Sequence, residues 1–122
     1  MKIKRIVANI ATGDPSRAEA FYGKFLGLEL GMDHGWIRTY VGTGDASAQV
    51  SFASQGGSDT MVPDLSIEVD DLDEALQRLR GAGFAPEYGP VSEPWGVRRF
   101  YVRDPFDRLV NVLQHDHTDR IS

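Results

Sequence analysis

The sequence predicts an α+β fold made of two tandem βαβββ modules, and three observations support it. An amphipathic helix with an Asp N-cap occurs at Asp14 and again 57 residues later at Asp71. Each helix follows a segment with the polar and apolar alternation of a β-strand, residues 3–11 and 64–69. Short β-patterned segments follow each helix. Such duplication indicates a repeated unit, and two such units are expected to form a cupped, barrel-like mixed sheet around a cavity.

The first module is expected over about residues 1–57. Its helix begins with Asp14 as N-cap and Pro15 in the first turn, and it ends at Gly27. The spacing of Ala18, Phe21, Tyr22 and Phe25 predicts an apolar stripe that packs on the sheet as core. The further strands are expected at 28–32, 36–41 and 47–53.

The second module is expected over about residues 62–115, followed by a polar tail at 116–122. After the strand at 64–69, Asp71 caps a helix that stops near Gly81. Its further strands are expected at 84–88, 97–102 and 109–114, with a turn at Asp104-Pro105-Phe106-Asp107 between the last two.

Composition narrows the classes of function. The chain has 122 residues, the length of one domain, and a formal net charge of −5, which argues against binding to nucleic acid. No apolar run reaches the roughly 20 residues that span a bilayer, so no membrane partner is expected. The absence of Cys and a start that enters a strand pattern directly, without a signal-peptide core, favour a cytoplasmic protein.

The doubled plan resembles the glyoxalase/bleomycin resistance/dioxygenase superfamily, also called vicinal oxygen chelate, over roughly residues 3–114. The motifs that correspond are residues 21–28, 66–75 and 103–107. The resemblance implies the fold, but it does not specify the activity, because the superfamily contains metal-dependent enzymes and metal-free antibiotic-binding proteins. It also implies a homodimer, since half-cups of this superfamily commonly complete one another across chains.

The resemblance places metal ligands at four positions, which here are Val7, Ser51, Asp64 and Asn111. Val7 has no donor atom, and Ser51 and Asn111 offer only weak neutral oxygens. The expectation is therefore a metal-free protein with no cofactor and no catalytic residue, closest to the bleomycin-resistance branch. In that branch, aromatic side chains hold the planar parts of a drug.

Strand parity and family geometry together select the residues expected to line the cup. For the strand of Trp36, Arg38 and Tyr40, the sequence does not show which face points inward. Trp95, in the segment Pro94–Gly96, lies either in a loop over the cavity mouth or in a core or dimer contact. The candidate ligand-binding residues are Trp36, Arg38, Gln49, Ser51, Asp64, Ser66, Glu68, Trp95, Arg99, Tyr101 and Asn111.

Several of these positions have simpler structural interpretations. Asn111 is explained equally well by an amide bonded to a neighbouring strand, and Glu68 by an ion pair with Arg38 or Arg99. The charge of the ligand also stays open: Asp64 and Glu68 would favour an amine, whereas Arg99 would favour a carboxylate or a phosphate.

The first hypothesis is a metal-independent protein that binds a small aromatic molecule and thereby sequesters an antibiotic or toxin. The alternative is a metal-dependent lyase, isomerase or dioxygenase that uses an altered ligand set such as Asp64, Glu68 and a His. A third hypothesis is an accessory domain whose pocket is filled by side chains. His115 and His117 form an H-x-H pair, but they are expected in the polar tail without a third ligand.

Overall fold

The structure, a computed structural model, describes residues 1–43 and 48–116. It contains two compact units. The first module is Val7–Val62, and the second consists of Met1–Ile6 and the chain from Pro63 onward. Each unit has the element order predicted for a βαβββ module, so the α+β fold class is confirmed. Within the described residues, no helix is both long and apolar enough to cross a membrane.

The first module combines one helical segment with a four-stranded sheet. The helical segment is a 3₁₀ helix, Pro15–Ala18, followed directly by a π-helix, Glu19–Phe25. The strand order is β2-β3-β4-β1, in which β1 and β4 are parallel and the other pairs antiparallel. The strands are β1 Ile3–Ala11, β2 Glu29–Asp33, β3 Ile37–Val41 and β4 Gln49–Ala53.

The second module places one α-helix on a sheet with the order β1-β5-β8-β7-β6. Only the start of β1 belongs to this module. β5 and β8 are parallel, whereas β6, β7 and β8 are antiparallel neighbours. The elements are β5 Leu65–Val69, α1 Leu72–Gly81, β6 Tyr88–Glu93, β7 Val97–Arg103 and β8 Leu109–His115.

The two helix starts confirm the repeat at the level of single residues. Asp14 and Asp71 adopt almost the same backbone conformation, with φ/ψ of −145°/93° and −146°/94°. The Asp14 carboxylate accepts a hydrogen bond from the backbone N–H of Ser16 at 3.1 Å, and that of Asp71 from the N–H of Glu74 at 3.0 Å. Both are N-caps, as their position before each apolar stripe predicts.

The predicted core role of two aromatic residues in the first helical segment is wrong. Tyr22 packs against the core formed by Tyr40, Phe52 and Ala18, but Phe21 is 53% and Phe25 72% exposed. The cause is the helix type, because the backbone N–H of Leu26 bonds to the carbonyl of Phe21, five residues back. A π-turn rotates side chains away from the 3.6-residue period that the stripe assumes.

The strand predicted at 84–88 actually runs from Tyr88 to Glu93. Phe84 instead ends the preceding helix, since its backbone N–H bonds to the carbonyl of Leu79 at 3.1 Å. Pro86 has no N–H to offer a neighbouring strand, which excludes a regular ladder there.

The helix face of the second sheet carries the apolar core of the second module. Leu72, Leu76, Val69, Phe100 and Val102 form one buried cluster between α1 and the strands. The turn that joins β7 to β8 is built as predicted: the Asp104 carboxylate accepts hydrogen bonds from the N–H groups of Phe106 and Arg108 at 2.8 and 2.9 Å.

Gly89 sits in the irregular pairing between Tyr88 and Val91 and requires glycine for two reasons. Its φ is +77°, and a Cβ atom there would lie 2.6 Å from the carbonyl oxygen of Arg99. We expect Gly89→Ala to lower the free energy of unfolding by about 1–3 kcal/mol, measured by urea denaturation. Gly81→Ala is the matched control, because nothing lies near its Cβ position and helix propensity favours Ala. Equal stability of Gly89→Ala and wild type would contradict the described bulge.

Candidate functional site

The second sheet has a polar face opposite its helix. Strand alternation turns Phe100 and Val102 toward α1, so Arg99 and Tyr101 lie on the other side. The register extends this face across the sheet. One row consists of Ser66, Asn111, Tyr101 and Tyr88, and the next of Glu68, Leu113, Arg99 and Val91. We call this surface the polar face.

Arg99 is the centre of a buried cluster of aromatic rings on the polar face. Its guanidinium carbon lies 4.8 Å from the ring centre of Tyr101, 4.9 Å from that of Trp95 and 5.6 Å from that of Tyr88. Its Nε donates to Oε2 of Glu93 at 2.7 Å, and a terminal nitrogen donates to the Tyr101 hydroxyl at 2.9 Å. The Tyr88 hydroxyl donates to the same Glu93 oxygen at 2.8 Å. Ion pairing and cation–π contacts together fix the positions of the rings.

Asn111 supplies a buried hydrogen-bond acceptor beside these rings. Its amide nitrogen donates to the Ser66 hydroxyl at 3.1 Å, which agrees with the simpler interpretation of an amide bonded to a neighbouring strand. Its Oδ1 is buried and has no hydrogen-bond partner among residues 1–43 and 48–116. Tyr101 is its direct cross-strand neighbour. Because an unsatisfied buried acceptor costs about 1–3 kcal/mol, this oxygen favours the approach of a donor.

Glu68 is engaged at one end of the polar face, but not by Arg38 or Arg99. Its Oε1 is 2.6 Å from Nε of Arg5, and its Oε2 is 2.8 Å from Nδ1 of His115 and 3.7 Å from Nζ of Lys4. Burial alone would raise the pKa of Glu68. The His115 hydrogen bond and the positive charges of Arg5 and Lys4 outweigh burial, so this pKa lies below its usual value.

His115 is the last residue of β8, so the prediction that it belongs to the polar tail is wrong. Its strand position follows from the pairing of β8 with Val97 at the start of β7. His117, the other half of the H-x-H pair, lies outside the described residues.

Asp64 is exposed and lies at the opposite end of the polar face from Glu68. Its Oδ2 accepts from the backbone N–H of Leu109 at 3.0 Å, and its own N–H donates to the Leu109 carbonyl. Asp64 and Glu68 are four residues apart along one extended segment, so their backbones are separated by about 13 Å. The ligand set of Asp64, Glu68 and a His is therefore too widely spaced to hold one ion.

The candidate residues of the first module divide between its two sheet faces. The hydroxyls of Ser51 and Thr39 are 2.8 Å apart and buried, and Gln49 lies on the same face as Ser51, opposite Val41. Arg38 lies on the other face with Tyr40, which belongs to the helix-side core. The Nε atom of Arg38 is 3.3 Å from Oδ2 of Asp33. Arg38 therefore does not share a face with Ser51.

Trp36 lies just before β3 and is half-buried. Its ring stacks on that of His34, with the two ring centroids 6.2 Å apart.

Two residues that contact Arg99, namely Glu93 and Tyr88, are absent from the candidate residues predicted from the sequence. Predicting this strand at 84–88 left Glu93 in a loop and did not pair Tyr88 with Tyr101. The hairpin itself carried the signal: the short connection Pro94–Gly96 pairs Glu93 with Val97 and so puts Glu93 and Arg99 on one face.

The four positions at which the family resemblance implies metal ligands do not fit a metal ion. Val7 contributes no donor, and the Ser51 hydroxyl is bonded to Thr39. Of the other two, Asp64 already binds a backbone N–H, and Asn111 offers one neutral amide oxygen. First-row metals are usually held by three imidazole, carboxylate or thiolate ligands. Over residues 1–43 and 48–116, no group of three or more His, Asp or Glu side chains is placed to hold a metal.

The Glu68 ion pairs predict a specific pH dependence of stability. Because its pKa is lower in the folded state, ionised Glu68 stabilises the fold above its usual pKa of 4.5, and this contribution disappears as the pH falls through the folded-state value. We expect Glu68→Gln to lower the free energy of unfolding by about 1–3 kcal/mol near neutral pH, with a difference that shrinks in acid. Urea denaturation of both proteins at several pH values measures this difference in the free energy of unfolding.

Glu87→Gln is the matched control for this pH dependence. Its carboxylate pairs with Arg103 at 2.9 Å on the surface, where ion pairs contribute little. A difference between Glu68→Gln and wild type that does not change with pH would show that folding does not lower the pKa of Glu68, and would contradict the ion pairs described here.

Comparison with known proteins agrees with this architecture. Three solved structures cover nearly the whole chain. A protein described as NAD-dependent benzaldehyde dehydrogenase from Legionella pneumophila has a TM-score of 0.73 at 15% identity, over 92% of this chain and 100% of that one. A glyoxalase/bleomycin resistance protein/dioxygenase superfamily member from Vibrio splendidus has a TM-score of 0.64 at 17% identity, over 93% of this chain and 99% of that one. Methylmalonyl-CoA epimerase from Mycobacterium tuberculosis has a TM-score of 0.59 at 18% identity, over 98% of this chain and 91% of that one.

At these identities the solved structures establish the fold alone. Comparison with curated protein sequences gives no significant match. The model of one family matches residues 2–112, which is most of the chain. The protein is thus a member of the Glyoxalase/Bleomycin resistance protein/Dioxygenase superfamily.

Proposed function

We propose that this protein binds a small aromatic molecule on the polar face of the second module, without a metal ion. The observation that supports the proposal most directly is the buried, unpartnered Oδ1 of Asn111 beside the Arg99 cluster. Aromatic planes with one precisely placed polar group are the usual components of a small-molecule site. The ligand therefore combines a flat ring with an N–H or O–H donor.

Charge pairing on the polar face favours a neutral ligand. Glu93 compensates the charge of Arg99, and the two side chains are each only 3% exposed. Arg5 and His115 occupy the two oxygens of Glu68. An anionic or cationic ligand would have to compete with these internal partners. The Asn111 oxygen needs only a neutral N–H or O–H donor to complete its hydrogen bonding.

Trp95 is more accessible to an incoming molecule than Tyr101. It is half-buried, whereas Tyr101 beneath the same guanidinium is 2% exposed. A favourable aromatic pair contributes roughly 0.5–1.5 kcal/mol beyond the area it buries. Stacking on Trp95 and one hydrogen bond to Asn111 together contribute about 1–3 kcal/mol, which is roughly a fivefold to 150-fold gain in affinity.

At the level of biological role, we propose a sequestering protein similar to the bleomycin-resistance branch, acting on an antibiotic or toxin in the cytoplasm as a homodimer. The misfit of the four metal-ligand positions supports this branch over the metal-dependent lyases, isomerases and dioxygenases of the superfamily. In the first module, Gln49, Ser51 and Trp36 are separate candidate contacts that this proposal does not use.

One observation favours a different function, an accessory domain whose binding face is filled by its own side chains. Arg99 is 3% and Tyr101 2% exposed, so these two groups are already covered in the protein alone. The two functions differ in a simple measurement: a filled face gives no saturable response to any planar probe.

A matched pair of probes tests the proposed hydrogen bond. Benzimidazole has a ring N–H, and 1-methylbenzimidazole is the same ring system without that donor. We expect benzimidazole to quench Trp fluorescence saturably in the Trp36→Phe variant, which retains only Trp95, and to bind about tenfold more tightly than its methylated form.

The Asn111→Leu variant completes the test, because it removes the acceptor at similar volume. It should weaken benzimidazole binding by about tenfold and leave 1-methylbenzimidazole unchanged. Absence of quenching and of any thermal shift with both probes would overturn the proposal and favour the accessory domain. Equal binding of the two probes would remove Asn111 from the site.

A further inference from the structure

We infer that Glu68 and His115 form a proton-accepting dyad, in which Nε2 of His115 takes a proton from a weakly acidic O–H or N–H of a small molecule. The dyad adds an acid–base function to the polar face. Only its substrate rests on the proposed function, since the dyad itself can be tested without a ligand.

The geometry fixes which nitrogen of His115 is available. Nδ1 of His115 is 2.8 Å from Oε2 of Glu68, whose side chain is 9% exposed. An ionised carboxylate only accepts hydrogen bonds, so Nδ1 carries the hydrogen. The neutral imidazole is thereby held as the tautomer whose Nε2 has a free electron pair. This orientation of an imidazole by a carboxylate is the arrangement that makes histidine a general base.

Two cations on β1 hold the carboxylate in place. Arg5 contacts the other oxygen of Glu68 at 2.6 Å, and Lys4 lies 3.7 Å from the oxygen that faces His115. Glu68 therefore has little freedom to turn away from the imidazole. An anchored acceptor costs little reorganisation when His115 becomes charged.

The imidazole is partly accessible, and its strand end lies next to the turn that carries Trp95. His115 keeps 26% of its side-chain surface exposed, whereas Glu68 behind it keeps 9%. Val97 is its cross-strand neighbour. The next residue, Asp116, donates its backbone N–H to the carbonyl of Gly96 at 2.9 Å, which ties the end of β8 to the turn that carries Trp95. The dyad and Trp95 therefore lie at the same end of the polar face.

The proposed step is a single proton transfer. The X–H bond of a phenol, an imide or a heteroaromatic N–H breaks, and its electron pair stays on X. The proton forms the Nε2–H bond of His115. The resulting imidazolium is stabilised by Glu68 and neutralises the charge of X⁻ beside it, so no oxidant, reductant or further reactant is needed.

The ligand-free test measures the tautomer and the reactivity of His115. Imidazole ¹⁵N NMR of the wild-type protein should show hydrogen on Nδ1 at neutral pH, with His34 and His117 assigned by replacing each with Asn. Diethyl pyrocarbonate acylates unprotonated imidazole nitrogens, and tandem mass spectrometry gives the rate at each histidine. His34 is exposed and serves as the internal reference.

We expect Glu68→Gln to slow acylation of His115 about threefold to tenfold relative to His34, because the charged hydrogen bond is replaced by a neutral one. A mixture of tautomers in wild type would overturn the dyad, whatever the variant does. An unchanged ratio of the two rates in a folded Glu68→Gln protein would overturn it as well. A structural ion pair that keeps His115 protonated predicts faster acylation in Glu68→Gln, and that result would also overturn the dyad.

The ligand test uses 4-nitrophenol, which is colourless when neutral and yellow as the phenolate. Below the pKa of the free phenol, wild-type protein should increase the yellow fraction saturably, and His115→Gln should abolish the increase. Binding without a colour change would overturn the proton transfer. Absence of binding in a protein whose His115 passes the ligand-free test would leave the dyad standing and count against the proposed function.

Discussion

The polar face of the second module depends on the ion pair between Arg99 and Glu93. Both side chains are almost fully buried, and a charge in such a position is tolerated only with a close partner. The pair holds the guanidinium against three aromatic rings and leaves Tyr101 beside Asn111. The arrangement of the rings and of the Asn111 acceptor thus follows from one electrostatic requirement. The bulge at Gly89 allows β6 to contribute both Tyr88, which precedes the bulge, and Glu93, which follows it.

The sequence predicted the repeated plan because its signals are local. N-caps, helix-ending glycines and strand alternation are each readable within a few residues. Alternation also placed Ser66 and Glu68 on one face, whereas Arg99 and Tyr101 were expected there from the family resemblance. The errors arose where the outcome depended on distant partners. A π-helix instead of an α-helix exposed Phe21 and Phe25. The partners of Glu68 come from β1 and the end of β8, which no periodicity connects to β5.

The two modules show how one plan diverges in chemistry. At equivalent places in their last strands, Ser51 forms a closed pair with Thr39, whereas Asn111 satisfies only its amide nitrogen through Ser66. A satisfied pair contributes stability and offers nothing to a ligand. A half-satisfied amide costs stability until a donor arrives. This difference in hydrogen bonding, and not the repeat itself, makes the second module the better candidate for binding.

The ion pairs on the polar face also determine whether the net charge of the protein affects the choice of ligand. A net charge of −5 would favour a cationic ligand if the acids lined the site. On the polar face, however, the charge of Glu93 is matched by Arg99, and that of Glu68 by Arg5. Leu113 stands between Glu68 and Arg99 in the register, so the two groups stay separate. What the face offers a molecule is consequently one neutral acceptor, aromatic surface and one imidazole nitrogen, a set suited to a planar ligand with a weakly acidic hydrogen.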